Sequence, residues 1–248
     1  MNMVLKNTAN PPGRRERKRL ARMEAIVDAA MRIAASEGLG NVTTHRVAKD
    51  LDLAVGALYR YFPSKDAIIE AMQQRSLKDY SAALKSDLEG MEAWLSTQAM
   101  PSSDLVPLIA IALEYRRLVS VFPQHYHLNN QVMGNPKNVL PGTEGDRVVE
   151  TMMALFRFLA SYIESAQKSG ALDANLEPLN GVILYWSSLR AVLGVHKLQA
   201  HDATIRGEEL FHDMVTTMLR GSGATTADLS AAWTVAYEWQ QQKRGETS

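Results

Sequence analysis

Apolar positions recur at spacings of three and four along almost the whole of this 248-residue chain. Such spacing lines one face of a helix, so the pattern predicts a succession of amphipathic helices. Met23, Ile26, Ala30, Ile33 and Ala34 carry it through a first helix from about Arg15 to Glu37, which Gly38 and Gly40 stop. Thr43 and Thr44 offer N-caps to a short second helix with Val47, Ala48 and Leu51 on one face. Asp52 interrupts, Leu53 points back inward, and Val55 to Tyr61 read as a short third helix. Pro63 ends that helix and Ser64 caps a long amphipathic fourth. Further helices are predicted near 104–122, 124–133, 144–169, 176–199, 206–220 and 226–242. Breaks fall at Pro101-Ser102-Ser103, between Gly134 and Gly142, at Gly170 and at Gly221-Ser222-Gly223. No segment sustains strand alternation, so the predicted fold class is all-α.

Charge divides the chain where the pattern does. Residues 1–65 hold 12 Lys and Arg against 6 Asp and Glu, and the remainder reverses that excess to give zero net charge. A basic first quarter on an acidic remainder points to a polyanion-binding module joined to something else. Arg14 to Arg22, "RRERKRLAR", places six cations and one acid at a helix start, against the helix dipole. Phosphates would neutralise that cost, so Arg14 and Arg15 are candidate phosphate contacts. Residues 1–13, with the breaker Asn10-Pro11-Pro12-Gly13, are expected to be a disordered arm. The chain has no cysteine, which excludes disulfides and thiolate sites. It has no secretion signal and no apolar run near the roughly 20 residues that span a bilayer. The expectation is a cytoplasmic protein with no membrane partner.

Two short helices joined by a tight turn and braced by a longer one have the arithmetic of a helix-turn-helix. Ala48 is the small residue where the helices cross. Asp52 stands at the turn position that needs positive φ. Val47, Leu51, Leu53 and Leu58 bury the angle between the helices. The second helix of such a unit lies in the major groove, where Tyr59, Arg60 and Tyr61 suit phosphates, guanine or thymine methyls. Phe62 reads as core.

These residues resemble the DNA-binding domain of the TetR family of transcriptional regulators, over residues 20–72. The likeness is carried by "TTHRVA", "GALYRYF" and "SK" at fixed spacing. It implies an N-terminal three-helix helix-turn-helix domain joined to a larger helical domain for ligand binding and dimerisation. The domains are expected at 14–65 and 66–222, with an extra helix at 223–248. It implies Thr43 and Thr44 capping the second helix at phosphate, and His45 facing backbone or base. Val55, Gly56 and Ala57 would face base edges, while Tyr59 and Lys65 would hold phosphate. Ala54-Val55 and Ala57 stand where family members often carry polar residues, so more of the readout would fall to methyls, DNA shape and phosphates.

The expected function is a ligand-responsive regulator, a repressor released from a palindromic operator by a hydrophobic or aromatic small molecule, or an activator of the same family. A single helix-turn-helix binds weakly, so a homodimer is expected, through the helices near 176–199 and 206–220. The stretch Leu179 to Leu198 is apolar on most of its circumference, as burial on two sides requires. The middle helices are rich in Met and aromatics, as adaptable pockets are, and His125, Tyr126, His127, Tyr162 and Trp186 are candidate ligand contacts. Trp233, Tyr237 and Trp239 of the extra helix are expected to pack over the dimer helices. An all-α di-metal enzyme needs two Glu-x-x-His motifs, and the chain has one, Glu209 to His212. His125 and His127 have metal-like spacing without an acid or Cys nearby in sequence. No catalytic residue, metal or cofactor is therefore expected.

Overall fold

The computed structural model describes residues 13–98, 104–121, 123, 126, 128 and 143–246. Among these, all regular structure is helical. The helices are α1 (Arg14–Glu37), α2 (Thr44–Asp50), α3 (Val55–Leu58), α4 (Lys65–Thr97), α5 (Leu105–Val121), α6 (Thr143–Lys168), α7 (Pro178–Val195), α8 (Gly207–Gly221) and α9 (Thr226–Glu246). Short 3-10 turns, Leu39–Asn41 and His196–Ala200, follow α1 and α7. The expected arm and the helix near 124–133 lie outside the described residues, apart from Gly13, Tyr126 and Leu128.

The chain divides into two units, Met1–Arg75 with His127–Gly145, and Ser76–Tyr126 with Asp146–Ser248. In the first, Ile26, Ala30 and Ile33 of α1 bury against Val47 and Ala48 of α2, Leu58 of α3, Phe62, and Ile68 and Met72 of α4. Thr43 Oγ1 accepts the Arg46 amide at 3.1 Å and caps α2. Thr44 does not share that role. It is the first helical residue and is buried, because the cap turns the next side chain inward. The turn after α2 closes as Leu53 N–H donates to Ala48 O at 2.9 Å, which the small Ala48 permits. Asp52 sits there at φ 52°, a left-handed conformation. A β-branched residue is poorly tolerated in that conformation. Asp52→Val is expected to destabilise the unit by about 1–2 kcal/mol, read as a lower urea midpoint. An unchanged midpoint would count against the strain.

α3 ends at Leu58, short of the expected Tyr61, and residues 59–61 form a turn. Tyr61 and Phe62 amides still donate to Leu58 O, so the chain tightens and swings Phe62 into the core instead of adding a helical turn. Ser64 Oγ accepts the Ala67 amide at 3.0 Å, capping α4 as expected.

In the second unit, α5 is buried on nearly all sides. α7 packs on α8, and α9 lies chiefly along α5. The expected seat of α9 over the dimer helices is thus only partly right. Its Trp233 does reach α8, donating from Nε1 to Thr216 Oγ1 at 3.1 Å and stacking on His212. The face bearing Leu229, Ala232 and Ala236 is buried, and small residues of this kind let α9 approach a neighbouring helix closely.

Candidate nucleic-acid interface

α1 begins well before its first buried residue, Ile26. Arg14 and Arg15 are exposed in its first turn, where Gly13 provides no side-chain cap. On α2, Thr43 and His45 are exposed. So is Lys49, four residues after His45 and therefore on the same face. Sequence reading passed over Lys49, although its spacing from His45 was the available signal. On α3, Gly56 is exposed, with open space where a Cβ would stand, so a partner's backbone or base edge has room to approach. Val55 and Ala57 are half-buried. Tyr59 closes the helix and is 48% exposed. Arg60 and Lys65 are exposed, whereas Tyr61 is half-buried against the apolar core.

The electrostatics separate cations that hold the fold from cations left available. Arg46 pairs with Glu37 at 2.6 Å and with Asp50 at 3.6 Å, and Arg32 meets Asp50 at 2.9 Å. The bond to Glu37 raises the Arg46 pKa and ties α2 to the end of α1. Among the described residues, no carboxylate lies within ion-pair distance of Lys49, Arg60 or Lys65. The unit therefore presents unneutralised cations, an aromatic hydroxyl and a bare backbone on one short helix-turn-helix. Polyanion recognition uses such donors.

The candidate ligand contacts divide. His125 and His127 lie outside the described residues. Tyr126 Oη donates to Arg190 O at 3.1 Å, and the Arg190 guanidinium lies 4.6 Å from the centre of the Trp186 ring. α7 thus brings Tyr126 and Trp186 to one residue, with Phe156 against the indole at 5.4 Å. Tyr162 has other partners, donating to Glu92 at 2.7 Å and meeting Phe158 edge-on. Tyr115 and Tyr185 were not singled out from the sequence. Both are buried, and burial pushes both phenols well above their ordinary pKa. Tyr185 donates to Leu108 O at 3.0 Å, which fixes α7 to α5.

Residues 26–72 match the family described as bacterial regulatory proteins, tetR family. A nucleoid occlusion factor, SlmA of Haemophilus ducreyi, is 42% identical over 55 residues, covering 22% of this chain and 27% of that protein. The transcriptional repressor KstR of Rhodococcus jostii is 35% identical over 92 residues, covering 34% of this chain and 43% of its own. The chain thus spans under half the length of these curated relatives. The solved structure of the transcriptional regulator FadR of Bacillus subtilis, in complex with stearoyl-CoA, covers 80% of this chain and 98% of its own with a TM-score of 0.57. At 14% identity that is a likeness of fold. The helix-turn-helix geometry and the match over it agree, and residues 26–72 form an N-terminal domain of the kind found in the tetR family of bacterial regulatory proteins.

Proposed function

We propose that the chain is a dimeric DNA-binding transcriptional regulator, and that its second unit binds a hydrophobic or aromatic small molecule. The observation that carries the DNA reading is the helix-turn-helix surface on which Gly56, Tyr59, Arg60 and Lys65 stand exposed, with neither cation in an ion pair among the described residues. Gly56 admits a base edge, and Tyr59, Arg60 and Lys65 hold phosphates around it. Thr43, His45 and Lys49 extend the contact along α2, and Arg14 and Arg15 reach a further stretch of backbone. Thr44 is buried, so its amide is what it offers.

Dimerisation is supported by an exposed stripe along α7. Ile183, Leu184, Ser187, Ala191 and Val195 share one face, and Leu184 is 53% exposed. On α8, Leu210 is exposed as well. Apolar and small residues on one helix face are suited to close packing against a second copy. The ligand class is supported by Tyr126, Trp186 and Phe156, which converge about Arg190, and by the acyl-CoA in the FadR complex. Repression through release by ligand is the working mode, with the ligand acting to the extent that it binds one conformation better.

Lys65→Ala tests the assigned phosphate role. It is expected to weaken binding to all duplexes alike and to lower the slope of log affinity against log salt by about 1. A changed sequence preference at unchanged affinity would refute it. A second reading, a DNA-bound factor acting outside transcription, is favoured by the match to the nucleoid occlusion factor. Transcripts of adjacent genes, measured with and without the protein, separate the two readings.

A further inference from the structure

The second unit contains a ring of four alternating charges contributed by three helices. Arg117 of α5 donates from Nη2 to Asp87 of α4 at 2.7 Å, and from Nε to Glu114 of its own helix at 2.6 Å. Lys243, near the end of α9, reaches the same two acids, Asp87 at 2.6 Å and Glu114 at 3.1 Å. Each carboxylate thus meets both cations, and the charges cancel. Glu114 is only 2% exposed, so its charge is tolerable only while paired. Burial pushes the Asp87 carboxyl up, and hydrogen bonds led by that of Lys243 outweigh it and hold it below its ordinary range.

One turn before Lys243, Trp239 takes hold of the same helix. Its ring lies on Gly90, where an added Cβ would stand 3.4 Å from it. It also tilts against Trp94 at 5.8 Å. Positions 87, 90 and 94 fall on one face of α4 in successive turns. The indole Nε1 is buried and makes no hydrogen bond among the described residues, so this apolar contact carries a polar penalty. The charge ring is the specific bond between the end of α9 and α4.

We propose that the last turns of α9, from Trp239 to Lys243, are a strap that fixes the far half of α4 against α5 and tunes DNA affinity by doing so. The first part stands on the geometry of this unit alone. The second rests on the DNA-binding reading above, because α4 is one uninterrupted helix from Lys65 to Thr97. A far half free to move changes the ensemble open to the whole helix.

Lys243→Met breaks the ring at its one member on α9. By hydrogen exchange, residues 87–97 and 239–246 are expected to exchange about tenfold faster, while α7 and α8 keep wild-type protection. The loss also leaves an uncompensated acid, which lowers overall stability. Asp87→Asn with Lys243→Met removes that imbalance and leaves Glu114 paired with Arg117. The double variant is expected to recover its melting temperature and to keep the fast exchange in α4, which a general weakening of the fold does not predict. Wild-type protection of α4 in both variants, or acceleration spread evenly over α5 to α8, overturns the strap. For the DNA part, Lys243→Met is expected to change the affinity for a duplex from the protein's own flanking region. Unchanged affinity overturns the tuning. If the wild-type protein shows no preference for that duplex, the DNA reading and the tuning fall together, and the exchange data still decide the strap.

Discussion

Leu58→Ala is expected to destabilise the first unit by about 2–5 kcal/mol, and to take DNA binding with it. Leu58 is wholly buried, and it is the one buried side chain that the four-residue α3 contributes. Its neighbours in the core are Ile26 and Ile33 of α1, Val47 of α2 and Ile68 of α4. A helix of one turn has almost no stability of its own, so this anchor and Phe62 determine where it lies. Removing Leu58 opens a cavity where the helices converge, and the cost is a large part of the 5–15 kcal/mol that a typical domain has. With two units in the chain, one global unfolding energy is not well defined, and limited proteolysis is the better measurement. Cleavage within 13–75 is expected to quicken while 146–246 keeps its resistance. Wild-type resistance in both regions would mean that the α3 anchor is unimportant.

The second large effect belongs to Gly223→Ala. Gly223 has φ +103°, and an added Cβ would lie 2.6 Å from Asp173 Cγ and 2.9 Å from Asp173 N. The residue closes α8. Its amide donates to Arg220 O at 3.0 Å, and that of Ala224 donates to Leu219 O at 3.1 Å. This pair of bonds is the Schellman arrangement, which calls for a left-handed residue at that position. The turn is then fixed to the loop after α6 as the Asp173 amide donates to Ser222 O at 2.8 Å. Backbone strain and overpacking against a main-chain atom act together, for about 2–5 kcal/mol. Gly221→Ala is the control, since a Cβ there meets nothing within 4 Å. That change is expected to be neutral or mildly stabilising, through helix propensity. Thermal unfolding of the two variants distinguishes them, and equal melting temperatures would contradict the close approach to Asp173.

The first unit was legible in the sequence because its constraints are local. A cap at Thr43, a small residue at Ala48, a residue tolerant of positive φ at Asp52 and an apolar anchor at Leu58 stand at fixed short spacings. Each spacing translates directly into a hydrogen bond or a packing contact. The end of α3 was less legible, because apolar periodicity continues through Tyr61 and Phe62 while the chain has already tightened into a turn. Exposure was only partly legible. Thr43 and Thr44 look alike as letters, and the cap turns one outward and the other inward.

The second unit depends on contacts between residues far apart in the chain. Glu114 lies in the apolar run "IALEYRRL" and reads as a surface acid on a helix, yet it is buried. Its partner Lys243 comes 129 residues later, a separation at which no sequence rule pairs charges. The seat of α9 on α5 was missed for the same reason. The tryptophans showed that the helix is buried without showing which helix buries it. The aromatic candidates for ligand contact were chosen by composition. Tyr126 and Trp186 converge on Arg190, while Tyr162 turns to Glu92.

The central claim is that the first unit reads DNA specifically. Its most direct test is binding of the purified full chain to the intergenic duplex beside its own gene, against random duplex of equal length, across a salt series. The account predicts a preference for the flanking duplex and an affinity that falls steeply with salt, as release of counterions from contacted phosphates requires. Equal affinity for both duplexes at every salt concentration would contradict it, and would leave residues 43–65 as a folded helix-turn-helix without sequence-specific binding at that site.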